Sequence, residues 1–477
     1  MATQQSPRRP GRARRHLTVA ERVRLGKEAR SRVPRASHGD WEPAPDRPDP
    51  VALLEEQATT RAPDLVPIRH GRMLANPFTF YRGAALIMAA DLASTPASGF
   101  EVQACGDAHL SNFGLFASPE RRLVFDINDF DETLPGPWEW DVKRLVASLE
   151  IAARNNGFSK AERRGIVLNA VASYRTSMQQ FAGMGDLEVW YLHAHIEEGL
   201  PRASAMLDKD SLVQARKVVS KALTRDNRQA LGRLTEVRDG RRRFISDPPL
   251  VTPIEDLLTP EQAAMSEQVI HDALREARAT LPGERRSLLE AYRFAHLARK
   301  VVGVGSVGTR AHVLLMLGRD EDDVLILQAK EAQESVLERY YRPSVYKQHG
   351  HRVVDGQKRM QATSDVFLCY SRLTKTVDGR TRDFYFRQLR DWKGSWEPES
   401  MNPVAMNFFA GICAWTLARA HARTGDRVAI ATYLGSSDSF DRALVRFATS
   451  YADQNERDHA ALARAVEEGR LQAQTGV

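Results

Sequence analysis

Residues 101–144 have the sequence EVQACGDAHLSNFGLFASPERRLVFDINDFDETLPGPWEWDVKR, the most informative stretch of the chain. Within it, Asp107 is followed five positions later by Asn112. The apolar run at 123–125 predicts a strand, and three carboxylates come after it: Asp126, Asp129 and Asp131. Carboxylate and amide oxygens placed close to a strand end are typical of a site for a metal ion and a phosphate.

This order of residues is found in kinase-type phosphotransferases. In those enzymes an aspartate accepts the proton of the attacking hydroxyl, and an asparagine and a second aspartate hold the metal. Asp107 is therefore the candidate base and Asn112 a candidate metal ligand. The second metal ligand is either Asp126 or Asp129, and Asp129 is favoured because Asp129-Phe130-Asp131 resembles D-F-G. Clustered carboxylates repel unless a cation neutralises them, which favours a Mg²⁺ site.

A Gly-rich segment, Gly303-Val-Gly305-Ser306-Val-Gly308, lies between two strand-like runs. This setting is typical of kinases, where such a loop covers the phosphates of ATP. The next strand-like run, VLILQAK, ends at Lys330, which is the candidate lysine for the α- and β-phosphates. The following segment, KEAQESVLERYY, is predicted to be helical. Glu331, Glu334 and Glu338 are the candidates to pair with Lys330, and Glu334 and Glu338 share a face of that helix.

Several basic residues flank these motifs and could bind phosphate or an acidic substrate. They are Arg69, Arg72 and Arg82 before the first motif, and Arg387, Arg390 and Lys393 after the last predicted hairpin.

Charge is concentrated at the N-terminus. The whole chain carries +7, but residues 1–36 contain eleven Arg or Lys and two Glu, so the other 441 residues carry about −2 by difference. Residues 1–50 are predicted to be a disordered basic tail and linker, and nucleic-acid binding is not expected apart from this tail. No apolar run reaches the roughly 18 residues of a membrane span. No secretory signal is present, so a cytoplasmic location is expected.

The remaining pattern predicts an α+β protein. Residues 51–300 form a helix-rich lobe that carries the 101–144 motif, residues 301–395 a strand-rich nucleotide-binding lobe, and residues 396–477 helices that pack on the helix-rich lobe. The Gly-rich segment follows the catalytic motif by about two hundred residues, whereas kinases have the opposite order. LARAHARTGD, at 417–426, resembles the helix that precedes the catalytic loop of small-molecule kinases. A two-lobed, circularly permuted kinase-like fold is therefore expected.

The segment Gly106-Asp107-Ala-His109-Leu-Ser-Asn112 resembles the H-G-D-x-x-x-x-N loop of aminoglycoside and choline phosphotransferases, with Cys105 in place of the leading His. More broadly, PIRHGRM, FYRGAA, GDAHLSNFG, DFDE, VVGVGSVGTR, QAKEA and RQLRDWKGS resemble the motifs of the bacterial family called domain of unknown function 2252. This resemblance covers most of residues 45–455. It implies a protein-kinase-like fold and leaves the substrate open.

The leading hypothesis is an ATP–Mg²⁺-dependent phosphotransferase that acts on a small-molecule hydroxyl. One alternative is a pseudokinase, which binds nucleotide without transferring phosphate. Another is a metal-dependent phosphoesterase, because Asp107-Ala-His109 is a D-x-H pattern; the G-N-H-[DE] and G-H-x-H motifs of such enzymes are absent from the sequence. The acceptor and the oligomeric state stay open.

Overall fold

The structure is a computed structural model that describes residues 16–225, 227–301, 303–374, 376, 378–389 and 391–476. These residues form a mixed α+β fold. The helices are α1 (Val19–Arg32), α2 (Pro50–Ala58), α3 (Val66–Leu74), α4 (Pro77–Gly83), α5 (Ala85–Ala93), α6 (Trp138–Asn155), α7 (Lys160–Ala182), α8 (Asp186–Tyr191), α9 (Ile196–Met206), α10 (Lys209–Leu223), α11 (Asn227–Leu234), α12 (Pro260–Ala279), α13 (Gly283–Glu290), α14 (His349–Met360), α15 (Pro403–Thr424), α16 (Arg427–Leu434) and α17 (Ser439–Glu467).

The strands form one larger antiparallel sheet and three two-stranded ribbons. They are β1 (Glu101–Ala104), β2 (Phe113–Ala117), β3 (Leu123–Ile127), β4 (Leu134–Pro137), β5 (Thr235–Arg238), β6 (Arg241–Phe244), β7 (Val251–Pro253), β8 (Arg293–Lys300), β9 (Ala311–Leu317), β10 (Val324–Ala332), β11 (Cys369–Leu373) and β12 (Arg382–Gln388). The large sheet has the order β11-β12-β10-β9-β8-β7, and the ribbons are β1-β4, β2-β3 and β5-β6.

The large sheet is covered on both faces, which explains the long apolar run of its strand β9. Leu314 and Met316 of β9 pack with α12 in one cluster. Val313 and Leu315 of the same strand pack with α11 and β6 in another. Because successive side chains of a strand point to opposite faces, a continuous run such as AHVLLML is expected where both faces are buried.

The helical body packs around α6, α7, α15 and α17, which share one large hydrophobic core. Trp138 of α6 is fully buried and stacks on Tyr174 of α7, with ring centroids 5.6 Å apart. Such an aromatic pair contributes about 0.5–1.5 kcal/mol beyond its area burial. Helix α7 begins at a side-chain cap, since the hydroxyl of Ser159 accepts the backbone N–H of Glu162. Within the described ranges, no helix is both long and apolar enough to span a bilayer.

The N-terminal segment differs from the predicted tail. Helix α1 lies within it, starts at a capping box between Thr18 and Glu21, and packs on α16. A Cβ at Gly26 would lie 2.5 Å from the carbonyl oxygen of Ala429, so only glycine allows this close approach. The helix was missed because it buries only small residues and carries mostly charged ones. Residues 1–15 of the predicted tail lie outside the described residues.

The large sheet begins before residue 301, the predicted start of the strand-rich segment. Strands β7 and β8 already belong to the large sheet, and β8 pairs with β9. The sequence of β8, RFAHLARK, has its polar residues at positions 293, 296, 299 and 300. This spacing lacks the strict alternation that indicates a strand, so the strand could not be predicted from this segment.

Candidate active site

A cavity of about 1130 Å³ lies between the large sheet and the loops that follow β1 and β3. It brings together most of the predicted site residues, although about two hundred positions separate the two groups in the chain. The predicted residues that line it are Asp107, Asn112, Asp129, Gly303, Gly305, Ser306, Lys330 and Glu334. Arg72, Arg82, Arg387 and Lys393 also line it.

The loop after β1 is held by a carboxylate from the first turn of α6. Asp141 accepts the backbone N–H groups of Cys105, at 2.8 Å, and Gly106, at 3.0 Å. His421 of α15 lies 3.1 Å from the same carboxylate. Gly106 has φ +81°, and a Cβ there would lie 2.3 Å from the carbonyl oxygen of Glu132. The loop that carries Asp107 is therefore fixed by buried partners.

Asp107 forms an ion pair that the sequence did not predict. Its Oδ1 accepts Nε of Arg144 at 2.8 Å, and Nη2 of Arg144 lies 2.7 Å from the same oxygen. Burial raises the pKa of Asp107 to about 6, although the charge of Arg144 acts in the opposite direction.

Asn112 supports the same loop. Its Nδ2 donates a hydrogen bond to the backbone carbonyl of Asp107 at 2.8 Å. Because the amide nitrogen is used in this way, Oδ1 is the oxygen that Asn112 can offer to a metal or ligand.

Lys330 reaches across the cavity to the loop after β3. Its buried Nζ lies 2.6 Å from Oδ2 of Asp131 and 3.6 Å from Oδ2 of Asp129. Burial opposes the charge of Lys330, but the two carboxylates raise its pKa above the usual value. Tyr385 pairs with Lys330 in the β10–β12 register and donates its hydroxyl to Oδ1 of Asp131 at 2.7 Å. Asp131 is thus the carboxylate partner of Lys330.

Asp129 is surrounded by positive charge. Burial opposes its ionisation, but Lys330 and Arg387 lower its pKa overall. The protein therefore supplies its own cations beside these carboxylates. Repulsion between the carboxylates is then no longer a reason to expect a metal ion. In the described part of the chain, no three or more His, Cys, Asp and Glu side chains are grouped to hold a metal ion.

The donor set nevertheless fits a nucleotide-bound Mg²⁺. Such an ion is usually held by one or two carboxylates together with substrate phosphates and water, rather than by an all-protein cage. Asp129 and Oδ1 of Asn112 line the same cavity and are oxygen donors of this kind.

The structure separates Asp126 from this group. Asp126 is 2% exposed, and its two carboxylate oxygens lie 2.7 and 2.8 Å from Nη2 of Arg419 on α15. The backbone N–H of Ala362 adds a longer bond at 3.2 Å. Asp126 therefore forms a buried ion pair between a strand and a helix.

The segment that carries Glu334 and Glu338 is not the predicted helix. Residues 333–348 form turns and coil, and the next helix is α14. The carboxylate of Glu338 accepts the backbone N–H groups of Ser335, at 3.1 Å, and Ser344, at 2.7 Å. These bonds stabilise a turn in place of a helix. Glu334 lines the cavity, whereas the carboxylate of Glu338 is used by the hydrogen bonds that form the turn.

Helix α14 instead supplies an arginine to the loop after β3. Arg352 is fully buried and donates to the backbone carbonyls of Asp131, at 2.8 Å, and Thr133, at 2.6 Å. It fixes the backbone that presents Asp129 and Asp131 to the cavity. Sequence reasoning missed it because its partners are main-chain atoms more than two hundred positions away.

The Gly-rich segment connects β8 to β9, in the predicted strand–loop–strand setting. A Cβ at Gly305 would lie 3.1 Å from the carbonyl oxygen of Arg82. Gly308 has φ +88°, and a Cβ there would lie 2.9 Å from Cβ of Arg61. Ser306 Oγ lies 3.5 Å from Asp131. The N-terminal helices therefore cover one side of this loop.

Of the other basic residues, Arg69 is buried in the N-terminal helices and donates to the carbonyl of Gly83 at 2.9 Å. Arg390 lies outside the described residues.

The described residues thus form an α+β protein with a charged cavity between an antiparallel sheet and a helical body. This cavity is the candidate active site. The chain belongs to the family described as "Uncharacterized protein conserved in bacteria (DUF2252)", whose model matches residues 61–465. Comparison with curated proteins gives no match, and comparison with solved structures gives none either.

Proposed function

We propose that this protein is an ATP- and Mg²⁺-dependent phosphotransferase that acts on a hydroxyl group of a small molecule. One observation supports this most strongly: Lys330, Asp129, Asn112 and Asp107 line the same cavity as the Gly-rich loop. These are the residue types that position phosphates, metal and acceptor in kinase-type transfer.

On this proposal, the backbone of Gly303–Gly308 covers the nucleotide phosphates and Lys330 binds their oxygens. When the nucleotide binds, Lys330 leaves Asp131 and pairs with the phosphates instead. Asp129 and Asn112 hold Mg²⁺, which neutralises charge on the phosphates when it is bound. Phosphoryl transfer needs positioning and electrostatic stabilisation more than covalent chemistry from the protein.

Asp107 is the proposed base. With a pKa of about 6, it is mostly ionised at pH 7 and can accept the proton of the acceptor hydroxyl. Arg144 is proposed to position it, because the guanidinium fixes one carboxylate oxygen and leaves the other to face the acceptor.

A kinase-like, two-lobed fold with permuted order is part of the same proposal. The end of α15 adjoins the start of β1: the backbone N–H of Gln103 donates to the hydroxyl of Thr424 at 3.1 Å. A Cβ at Gly425 would lie 2.8 Å from the carbonyl oxygen of Glu101. This proximity supports the idea that the two segments were once continuous, since chains tolerate being cut in such connections.

A second candidate is a nucleotide-binding protein without transfer. It is favoured by the ion pairs Lys330–Asp131 and Arg144–Asp107, which occupy two groups that transfer would need.

The test is Mg²⁺-dependent ATP binding, measured by calorimetry for the wild type, Lys330→Ala and Asp129→Ala. Lys347→Ala, an exposed lysine outside the cavity, is the matched control. We expect wild type and control to bind alike and both cavity variants to bind more weakly. Absence of binding by the wild type would rule out the proposal. Binding without turnover across a panel of small hydroxyl compounds would favour the second candidate.

A further inference from the structure

The N-terminal helical region contributes three arginines to the cavity, Arg61, Arg72 and Arg82, and two of them, Arg61 and Arg82, lie against the Gly-rich loop. Arg61 precedes α3 and Arg82 lies in the last turn of α4, so both stand on the side of the Gly-rich loop that these helices cover. Neither has a role in the chemistry described above.

Arg61 is a buried cation that has no close carboxylate among the residues that the structure describes. It is 6% exposed, and its Nη1 donates to the backbone carbonyl of Val307 in the Gly-rich loop at 2.5 Å. Its Nε has no hydrogen-bond partner among the described residues. Burial lowers its pKa to about 10, and Glu132 and Asp131 offset this only from a distance.

Arg82 lies between the Gly-rich loop and Asp107. Its Nη2 is 3.9 Å from the position that a Cβ on Gly303 would take. Its buried Nε likewise has no hydrogen-bond partner within the described ranges. Burial lowers the pKa of Arg82, and the charges of Glu399 and Asp107 oppose that shift.

A buried guanidinium without a paired anion is costly, because desolvation is not compensated. Arg61 is such a group, and Arg82, which is half-buried with a buried Nε that has no hydrogen-bond partner among the described residues, lies beside the same Gly-rich loop, so the two favour an anion in the cavity. A guanidinium presents a planar fork of N–H donors that matches phosphate oxygens. Lys330 already has Asp131 as a partner, whereas Arg61 and Arg82 have no comparable carboxylate within the described chain.

We propose that Arg61 and Arg82 form a second phosphoryl-binding wall, opposite Lys330, with Arg82 bound to the phosphoryl group nearest Asp107. This deepens the proposed function and rests on it. The phosphoryl group has two sources: the terminal phosphate of the nucleotide, or a phosphate carried by the acceptor.

The experiment compares three probes by calorimetry in the presence of Mg²⁺: ATP, ADP, and inorganic phosphate added to ADP-saturated protein. The variants are Arg82→Ala, Arg82→Lys and Arg61→Gln, and the control is Arg442→Ala, an exposed arginine outside the cavity. Thermal unfolding verifies that each variant is folded. If Arg61→Gln fails to fold, the two Arg82 variants still test the proposal.

If the phosphoryl group is the nucleotide's, Arg82→Ala weakens ATP binding about tenfold to hundredfold and changes ADP binding less than about threefold. Arg82→Lys should recover part of the loss, since it keeps the charge but not the fork. If the acceptor carries the phosphate, Arg82→Ala keeps the wild-type difference between the affinities for ATP and ADP. The same variant then loses binding of inorganic phosphate.

Equal losses of ATP and ADP affinity in Arg82→Ala, or no effect of this change on any of the three probes, would overturn the proposed phosphoryl-binding wall. Failure of the proposed function has a different signature. In that case the wild type binds neither nucleotide, and inorganic phosphate added alone still binds in a way that depends on Arg82.

Discussion

Asp126 and Asp129 are three residues apart, yet they lie in opposite environments. Asp126 is the fourth residue of β3, is almost fully buried and has both oxygens bonded to Arg419. Asp129 lies in the following loop, its side chain is 29% exposed, and it faces Lys330 and the cavity. The difference shows that residue type and spacing select a cluster of candidates, whereas burial and a distant partner decide what each one does.

The largest expected effect concerns the buried pair. Asp126→Asn leaves Arg419 buried without a counter-charge, so the free energy of unfolding should fall by about 3–5 kcal/mol. Urea denaturation measures this directly. The double variant Asp126→Asn/Arg419→Met removes both charges and should lose less than the sum of the single changes. A cost below about 1 kcal/mol for Asp126→Asn would contradict a structural role.

Asp129→Asn should act on ligand binding instead. We expect ATP to bind about tenfold to hundredfold more weakly in the presence of Mg²⁺, because a charged metal ligand is lost. With Mg²⁺ chelated, the variant should bind ATP as well as the wild type or better, since a negative charge near the phosphates is gone. Calorimetry with and without chelator compares the two conditions. An equal loss in both would argue against a metal at Asp129.

The pH dependence tests Asp107. Its native pKa of about 6 lies above the usual value, so the proposed base is expected to become protonated and inactive as the pH falls below 6. ATP turnover should therefore fall about tenfold per pH unit on the acid side. Arg144→Gln removes the charge that favours the ionised carboxylate of Asp107. The acid limb of the pH profile should therefore move up by about one pH unit. A limb that stays in place would show that Arg144 does not control the ionisation of Asp107.

The smallest effect is expected at Ser306. Its hydroxyl is 3.5 Å from Asp131, which is at the limit of a hydrogen bond. Ser306→Ala should change ATP affinity less than about threefold. A loss comparable to that of Asp129→Asn, measured in the same titration, would mean that Ser306 contacts the nucleotide directly.

The local part of the site was predictable from the sequence. Asp107 and Asn112 belong to one loop, and the turn requires Gly106 at a positive φ. The strand after Gly303–Gly308 could be predicted because β9 is a continuous apolar run. Lys330 could be selected because it ends such a run. In each case a few neighbouring residues contain the information.

The partners of these residues could not be predicted, because they come from distant parts of the chain. Arg144, Asp131 and Arg419 each complete a pair that depends on how helices and loops dock. The helix predicted around Glu334 and Glu338 was wrong because side-chain bonds to the backbone stabilised a turn. Helix α1 was missed because it is held by the close approach of Gly26 to α16 rather than by an apolar face.

The contacts of α15 also have a consequence for synthesis of the protein. Arg419 and Asp126 are 293 positions apart, and His421 reaches Asp141 over 280 positions. A ribosome therefore makes the loop of Asp107 and the strand of Asp126 long before it makes the helix that supports them. Since chains fold as they are made, from the N-terminus onward, the nascent protein lacks a finished cavity until α15 emerges. A product terminated before residue 403 would contain every proposed nucleotide-binding and catalytic residue and still lack the support that arranges them.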